Sequence, residues 1–303
     1  MKRLLLTIFA LLPLSLFAQG LYDHTPNARI SAMGGAGVAT RADAFATFGN
    51  AAAALMEYKV VQAAGSYTNF SEDIYDQYTM WAAGGYVRFA QRHALAIGLQ
   101  FNAEQPNDYN DKRPGAQRFD LAYGYKLSER VSLAATARYR RTYNYFFDDD
   151  NYNGGGVDLA VYSRLPMNFL EGAMLNIGGK LSFDAPTAPQ YNYTGLTPAV
   201  GVSLSMPFSD AHLLDITTEI KYGISSREDL FAAKIGAEYS LMRLFYLRAG
   251  GNITKVTDMP GFGYGTFGLG IRFFHLQFDV AYLVGKKHTP LHNAVQINFG
   301  LDF

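Results

Sequence analysis

The chain has 303 residues, with 26 basic and 26 acidic side chains, so its formal net charge is zero, and it contains no cysteine. Charge balance argues against nucleic-acid binding, which needs a concentrated basic surface, and the lack of cysteine excludes disulfide scaffolds, thiol catalysis and cysteine-ligated metals. Charged residues make up only 17% of the chain while aromatic residues reach 15%, with 30 glycines. A soluble domain of this length is normally richer in charge.

The N-terminus has the pattern of a secretory signal peptide. Two basic residues precede an apolar run over 4–17, and Ala18 supplies a small residue for cleavage. The run is shorter than the ~20 residues that a membrane-spanning helix needs, and Pro13 interrupts it. We therefore predict that residues 1–18 are a signal peptide and that the mature protein is exported.

Residues 19–58 lack strand periodicity and are rich in small residues. A Gly/Ala-rich stretch over 30–42 is followed by a predicted short helix over 43–56. The segment is too short for a domain, while its apolar content argues against the alternative of a disordered tail. Because a wide barrel lumen holds either water or a plug, we predict that this segment is a partly helical hatch within or beneath the lumen.

The rest of the chain, residues 59–303, alternates between apolar and polar residues, as half-buried strands do. In the last segment, for example, Ile297 and Phe299 alternate with Gln296 and Asn298. Fourteen such segments occur at 60–70, 78–88, 93–102, 117–127, 130–142, 156–164, 174–183, 197–206, 212–223, 230–240, 244–254, 264–273, 276–284 and 294–303. Most have the ~9–11 residues of a tilted membrane-spanning strand. The fold class is therefore predicted as all-β, a transmembrane antiparallel β-barrel of about 14 strands, with twelve or sixteen as alternatives.

The predicted connections alternate in length. The long, polar ones are 71–77, 103–116, 143–155, 184–196, 224–229, 255–263 and 285–293. The others are generally shorter, at 89–92, 128–129, 165–173, 207–211, 241–243 and 274–275. Barrels of the bacterial outer membrane have long extracellular loops and short periplasmic turns. We therefore predict the outer membrane of a Gram-negative bacterium, with both barrel ends in the periplasm, interfacial aromatic girdles, and Phe303 as a C-terminal assembly signal.

The strand alternation also predicts which charges face the lumen. These residues are Arg138, Arg140, Lys180, Glu219, Lys221, Lys234, Glu238, Arg248, Arg272 and Asp279. Charge that faced lipid would be costly, so we interpret the set as a mutually neutralising network that supports the lumen. The alternative is a path for solutes, in which the mixed signs argue against strong ion selectivity.

A short motif in the predicted hatch resembles the opening motif of the PorV/PorQ family. It consists of Ala28, Arg29, Met33, Gly34, Gly37, Asp43 and Asn50. Those proteins are outer-membrane barrels of the type IX secretion system, within a wider group similar to the long-chain fatty-acid transporter FadL. One position departs from the family pattern, since Ala51 stands where the family has proline. The resemblance implies a FadL-like barrel with an N-terminal hatch and a role in handling secreted cargo.

One loop carries a partial calcium-binding pattern. Asp149, Asn151 and Asn153 have the spacing of the first half of a calcium loop, with Asp158 close by. The twelfth position, where a bidentate acid is expected, is Ala160. The ordinary interpretation is an Asp/Asn/Gly-rich extracellular loop, and we predict no metal site.

No motif in the sequence supports an enzyme or a cofactor. The chain contains no nucleophile elbow, zinc-protease motif or phosphate-binding glycine loop. His288 and His292 lie on either side of Pro290 without a nearby carboxylate to complete a metal site. We therefore predict a non-enzymatic protein that needs no cofactor.

Three functions remain open, and the first is the one we favour. It is an accessory in protein secretion, with secreted cargo proteins or secretion-system components as partners at its extracellular loops and rim. The second is FadL-like transport of a hydrophobic small molecule through a hatch-gated lumen. The third is a general diffusion porin, which a closing hatch disfavours. The lipid bilayer is a predicted partner in each case, and nucleic acid in none.

Overall fold

The strands of the barrel follow one another around a closed wall. The computed structural model describes residues 24–70, 78–103, 115–144, 150–185, 195–224, 229–256, 262–286 and 291–303. The strands are β1 (Val61–Asn69), β2 (Thr79–Phe89), β3 (His93–Ala103), β4 (Gly115–Lys126), β5 (Val131–Asn144), β6 (Asp150–Pro166), β7 (Met174–Asp184), β8 (Gly195–Ser209), β9 (His212–Gly223), β10 (Leu230–Leu241), β11 (Phe245–Val256), β12 (Phe262–Phe273), β13 (Leu276–Gly285) and β14 (Ala294–Asp302). Each pairs antiparallel with its sequence neighbours, and β1 pairs with β14 to close the barrel. The predicted fold class is confirmed.

Alternate residues of each strand face opposite sides of the wall. In β14, Gln296 and Asn298 are buried, whereas Ile297 and Phe299 are exposed on the outer surface. The same pattern around the barrel leaves Val, Ile, Leu and Phe outside and polar or small residues inside. An apolar exterior with a polar interior is the arrangement expected of a barrel in lipid. In the described part of the chain, no helix is both long enough and apolar enough to cross a membrane.

Strand β6 begins earlier than the sequence pattern predicts. It starts at Asp150 instead of residue 156, and Asp150 pairs with Asn144 of β5. Asparagine and glycine are depleted in strands, so their run gives no strand signal. Pairing along β5 overrides that weak local preference. Residues 143–144 and 150–155 of the connection predicted over 143–155 are therefore strand residues at the end of a long hairpin.

Residues 24–57, which we call the hatch, lie inside the wall and contain two short helical turns. The first is α1 (Ala28–Ser31), whose N-cap residue Asn27 accepts a hydrogen bond from the amide of Ile30. The second is a 3-10 helix (Ala51–Met56), capped by the side chain of Asn50. The predicted helix over 43–56 is thus correct only for its last six residues, because the turns at 44–49 do not continue as a helix. Residues 1–23, with the predicted signal peptide, lie outside the described residues.

Candidate functional site

The first contact between the hatch and the wall is a buried ion pair. The guanidinium of Arg29, in α1, donates from Nε and Nη2 to both carboxylate oxygens of Glu238 on β10, at 2.8 and 3.0 Å. Arg248 on β11 donates from Nε to the same carboxylate at 2.6 Å. All three side chains are almost fully buried. One wall carboxylate therefore binds a hatch arginine and a wall arginine at the same time.

This pair continues into a chain of charges along the wall. Arg248 also donates to Asp279 on β13 at 2.8 Å. Arg272 on β12 binds both oxygens of Asp279, at 2.8 and 2.9 Å. Bidentate arginine–carboxylate pairs fix geometry as well as charge. Four adjacent strands, β10 to β13, are thereby tied to each other and to the hatch.

A second charged hatch residue reaches the neighbouring strand. Arg41 donates from Nη2 to Asp215 on β9 at 2.9 Å and lies 3.6 Å from Glu238. Its backbone carbonyl accepts from Arg29 at 2.9 Å. Within the hatch, Asn27 donates to both carboxylate oxygens of Asp43, at 2.8 and 2.7 Å. These bonds join the two arginine contacts into one rigid unit.

The middle of the hatch is held through its backbone. Glu219 on β9 accepts from the amides of Gly37 and Val38 at 2.8 and 2.9 Å. Lys234 on β10 bridges this carboxylate and the carbonyl of Gly35, at 2.8 and 3.1 Å. A buried carboxylate that accepts two backbone N–H groups and pairs with a lysine has its charge well satisfied.

The end of the hatch is held by polar contacts at the 3-10 helix. Asn50 donates to the carbonyls of Val38 and Val161, both at 2.9 Å, and so links the hatch to β6. Arg164 on β6 donates to the carboxylate of Glu57 at 2.8 Å and to the carbonyl of Met56. Arg88 on β2 donates to the carbonyl of Glu57. Arg164 on β6 and Arg88 on β2 therefore both bind the hatch at the point where it leaves the lumen.

Glycines of the inner wall allow the hatch backbone to approach closely. A Cβ at Gly236 would lie 2.5 Å from the carbonyl oxygen of Met33 and 2.7 Å from its Cα. On the hatch side, Gly34 has φ +69°, and a Cβ there would lie 2.7 Å from the amide nitrogen of Gly251. Its own amide donates to Thr266 on β12 at 3.0 Å, and that hydroxyl donates to the carbonyl of Ala32 at 2.8 Å. The motif glycine is therefore required both by its left-handed backbone and by the lack of space.

A separate charge cluster lies on strands β4 to β7. Arg138 donates to Asp184 at 2.8 Å and to Asp158, with Asp120 at 3.5 Å. Arg140 lies 3.7 Å from Asp184. Lys180 is 4.0 Å from Asp158 and donates to the carbonyl of Phe48 in the hatch at 3.4 Å. This cluster braces the wall and touches the hatch only at its edge.

The structure thus separates the ten predicted lumen charges by role. Glu219, Lys234 and Glu238 bind the hatch directly, while Arg248, Arg272 and Asp279 extend the network along the wall. Lys221 is half-buried on the inner face of β9.

Several partners were not singled out from the sequence. Asp215 and Asp120 occupy inward-facing positions in the alternating pattern of their strands, as the predicted lumen residues do, so the alternation could have identified them. Arg41 is a charge within a run of small residues, which itself indicates a buried contact. Glu57 and Asp184 lie at the edges of predicted elements and gave no signal.

The calcium-like residues are not brought together. Asp149 lies outside the described residues, and Asn151 and Asn153 are on β6, paired with Tyr143 and Arg141 of β5. The amide oxygen of Asn153 accepts from Tyr139 at 2.6 Å. Among the residues that the structure describes, no group of three or more histidines and carboxylates is placed to hold a metal ion.

Little free space remains inside the described hatch. A cavity of about 20 Å³ is lined in part by Thr25, Asn27, Thr40, Arg41 and Asp43. A space of this size has room for a single water molecule. This part of the lumen is therefore filled by protein.

We expect acid to strengthen hatch docking through Asp43. Burial raises the pKa of Asp43 above its ordinary value, although Arg29 acts against the shift. The docked hatch then binds the proton more tightly than a released hatch, so its docking weakens as pH rises through the raised pKa. Trypsin cleavage within the hatch, compared at about pH 7 and about pH 5, should show more protection at the lower pH for the wild type. Cleavage rates are first corrected for the pH dependence of trypsin itself, measured on an unfolded substrate. The remaining pH effect should be smaller in Asp43→Asn than in the wild type. An equal effect in both proteins would contradict protonation of Asp43 as the cause.

A comparison with known protein families gives one match. A family model described as type IX secretion system protein PorV matches residues 21–222, more than half of the chain. The chain belongs to the PorV family. This match covers the hatch, its motif and strands β1 to β9, which confirms the family resemblance in the sequence. No curated protein matched this PorV-family chain.

Solved structures show the same fold at low sequence identity. The "CymD monoaromatic hydrocarbon channel" matches with a TM-score of 0.60 and 12% identity, covering 91% of this chain and 97% of that chain. The Pseudomonas putida toluene transporter TodX matches with a TM-score of 0.58 and 12% identity, covering 90% of this chain and 97% of that chain. A Pseudomonas aeruginosa FadL homologue matches with a TM-score of 0.54 and 12% identity, covering 91% of this chain and 97% of that chain.

These comparisons establish the class of the PorV-family barrel. It is an outer-membrane β-barrel with a FadL-like fold, which implies a Gram-negative outer membrane. The family is described as a secretion-system protein and not as an enzyme, and the similar solved structures show the fold.

Proposed function

We propose that this PorV-family barrel is a closed accessory of protein secretion, which presents its extracellular loops and rim to secreted proteins or secretion-system components. The observation that carries the proposal is the docked hatch, which Glu238, Glu219 and Arg164 hold from three parts of the wall. A plug fixed by buried charges suits a scaffold better than a conduit. The family match to a secretion component supports the same function.

The free volume argues against a conduit through the described lumen. Sites that enclose small molecules commonly have about 300–1,000 Å³. The cavity within the hatch has about 20 Å³ and is lined by polar as well as apolar groups, among them Asn27 and Asp43. Removal of the hatch from this position would break several buried ion pairs. A solute would have to supply that free energy to pass.

Hydrophobic transport is the second candidate, and one feature favours it. A groove of about 470 Å³ lies along the wall at β10 to β13, where Ile235, Ile253 and Val284 surround Gly251 and Gly265. The similar folds include proteins described as hydrocarbon channels, which gives this candidate its substrate class. The groove is exposed on the outer face, so it offers a surface to lipid and not an enclosed site.

Co-purification and uptake together test the two candidates. After gentle extraction, the secretion function predicts that secreted proteins or secretion components co-purify with the barrel, and that deletion of its gene lowers secretion. Vesicles containing the purified barrel should take up toluene no faster than protein-free vesicles. A barrel that is isolated alone, with secretion normal in its absence, would overturn the proposal. Rapid toluene uptake by these vesicles would favour transport instead.

A further inference from the structure

Large apolar side chains are concentrated on part of the barrel end that carries the short turns. Phe169, Phe208, Met242 and Phe274 are 61%, 62%, 62% and 83% exposed. They lie at four consecutive turns, from β6–β7 to β12–β13, and we name these four residues the apolar rim. The other two turns expose the polar residues Gln91, Arg92, Glu129 and Arg130, which we name the polar rim, and one large apolar side chain, Leu127, at 51%. The two sectors of the turn end therefore differ in their proportion of exposed apolar side chains.

The turn geometry does not explain the apolar residues. Met242 and Phe274 have φ of +54° and +52°, in the left-handed region. Two-residue hairpin turns favour asparagine and glycine at such positions, and a bulky side chain there is uncommon. In the β2–β3 turn, the corresponding left-handed positions hold Ala90 and Gln91. The turn backbone thus gives no local reason for methionine or phenylalanine at these positions.

The apolar rim is continuous with the lipid-facing wall. The ring of Phe274 packs against that of Phe273, an outer-face residue of β12, with 4.4 Å between the ring centroids. Three of the same turns also expose one charged side chain each, namely Glu171, Asp210 and Arg243. Aromatic and apolar side chains beside charged ones suit the headgroup zone of a bilayer. A protein-binding hot spot would instead be depleted of charge at its centre.

We infer that the apolar rim inserts into the headgroup–acyl boundary of the nearer lipid leaflet, while the polar rim stays in water. The lipid-facing wall continues further at β6 to β13 than at β2 to β5. The barrel consequently sits tilted, with the β6–β13 side deeper at its turn end. This inference goes beyond the proposed function and does not depend on it.

Single-cysteine labelling tests the inference, because the chain has no cysteine of its own. Asp210→Cys and Glu129→Cys form a matched pair, since both replace an exposed acid in a short turn, one in each sector. Each variant carries an environment-sensitive fluorophore and is reconstituted into phosphatidylcholine vesicles with or without brominated acyl chains. We expect the label at 210 to be quenched several-fold more by brominated lipid than the label at 129, and less by aqueous iodide.

A second variant isolates the contribution of the apolar rim. Phe208→Asn, Met242→Asn and Phe274→Asn are combined in the Asp210→Cys background, and folding is checked by the heat-modifiable mobility of the barrel on gels. We expect lipid quenching at 210 to fall to the level seen at 129. Equal quenching at 210 and 129 in the unsubstituted rim would overturn the inference. A label at 210 that is exposed in vesicles but protected in native membranes would also overturn it, in favour of a protein partner.

Discussion

Gly236→Ala is expected to loosen the docked hatch and to make the barrel conduct more often. The new Cβ would overlap the backbone of Met33, at 2.5 Å from its carbonyl oxygen, and backbone atoms cannot rotate away. Overpacking of this kind typically costs ~1–3 kcal/mol, and because it acts only on the docked hatch it raises the ratio of released to docked hatch by about 5- to 150-fold. Single-channel recording in planar bilayers should show more frequent open events for the variant than for the wild type. Trypsin should then cleave at Arg29, which is buried in the wild type.

Gly265→Ala is the matched control for this substitution. Gly265 lies two strands away on β12, and a Cβ built there has nothing within 4 Å. The control changes the same residue type by the same methyl group without touching the hatch. It should remain closed and resistant to trypsin. Equal conductance in the two variants would show that the hatch contact at Met33 does not close the lumen.

Glu238→Gln is expected to have the largest effect on stability among the charge substitutions. Its carboxylate neutralises Arg29 at 2.8 Å and Arg248 at 2.6 Å, with Arg41 at 3.6 Å. Removal of one partner from a buried pair typically costs ~3–5 kcal/mol, because the remaining charge is left uncompensated. Urea unfolding in detergent micelles measures the loss. Arg29→Met should cost less, since Arg248 still neutralises the remaining carboxylate.

The double variant separates hatch docking from wall stability. If the two side chains act through one contact, Arg29→Met combined with Glu238→Gln should destabilise the protein by less than the sum of the single variants, with a coupling of ~0.5–3 kcal/mol. Lys126→Met with Glu129→Gln provides a control pair at an exposed turn. Exposed pairs contribute little, so this control should not change the unfolding midpoint. Strict additivity for Arg29 and Glu238 would contradict a shared contact.

The sequence predicted the wall better than the interior. Alternation indicates which face of a strand meets lipid, so all fourteen strands were found; only the start of β6, by six residues, and the end of β8, by three, were displaced by more than about two residues. The alternating pattern also identified Glu219 and Glu238 as lumen residues. Their partners in the hatch could not be read from the sequence, since Arg29 and Glu238 are separated by 209 positions. The small residues of the hatch did not indicate which strand each one meets.

The hatch was the least predictable element for a related reason. Its only regular elements are the two short turns α1 (Ala28–Ser31) and Ala51–Met56 among the described residues. The conformation of the hatch therefore depends on its contacts with the wall much more than on the helix propensity of its residues. Alanine favours a regular α-helix, yet the Ala51–Met56 turn is 3-10 and ends at Glu57. The carbonyls of Met56 and Glu57 there accept from Arg164 and Arg88. Tertiary contacts therefore override the helix propensity of the sequence.

The seam between the first and last strands lies next to the point where the hatch leaves the lumen. Lys59 binds Asp302 at 2.9 Å, and the amides of Val60 and Val61 donate to the terminal residue Phe303 at 2.7 and 3.0 Å. The residues that directly follow the hatch thus also make the first bonds of closure. Closure of the wall at this seam therefore also fixes the segment that follows the hatch at the mouth of the lumen. A change that loosens the seam should loosen this end of the hatch as well.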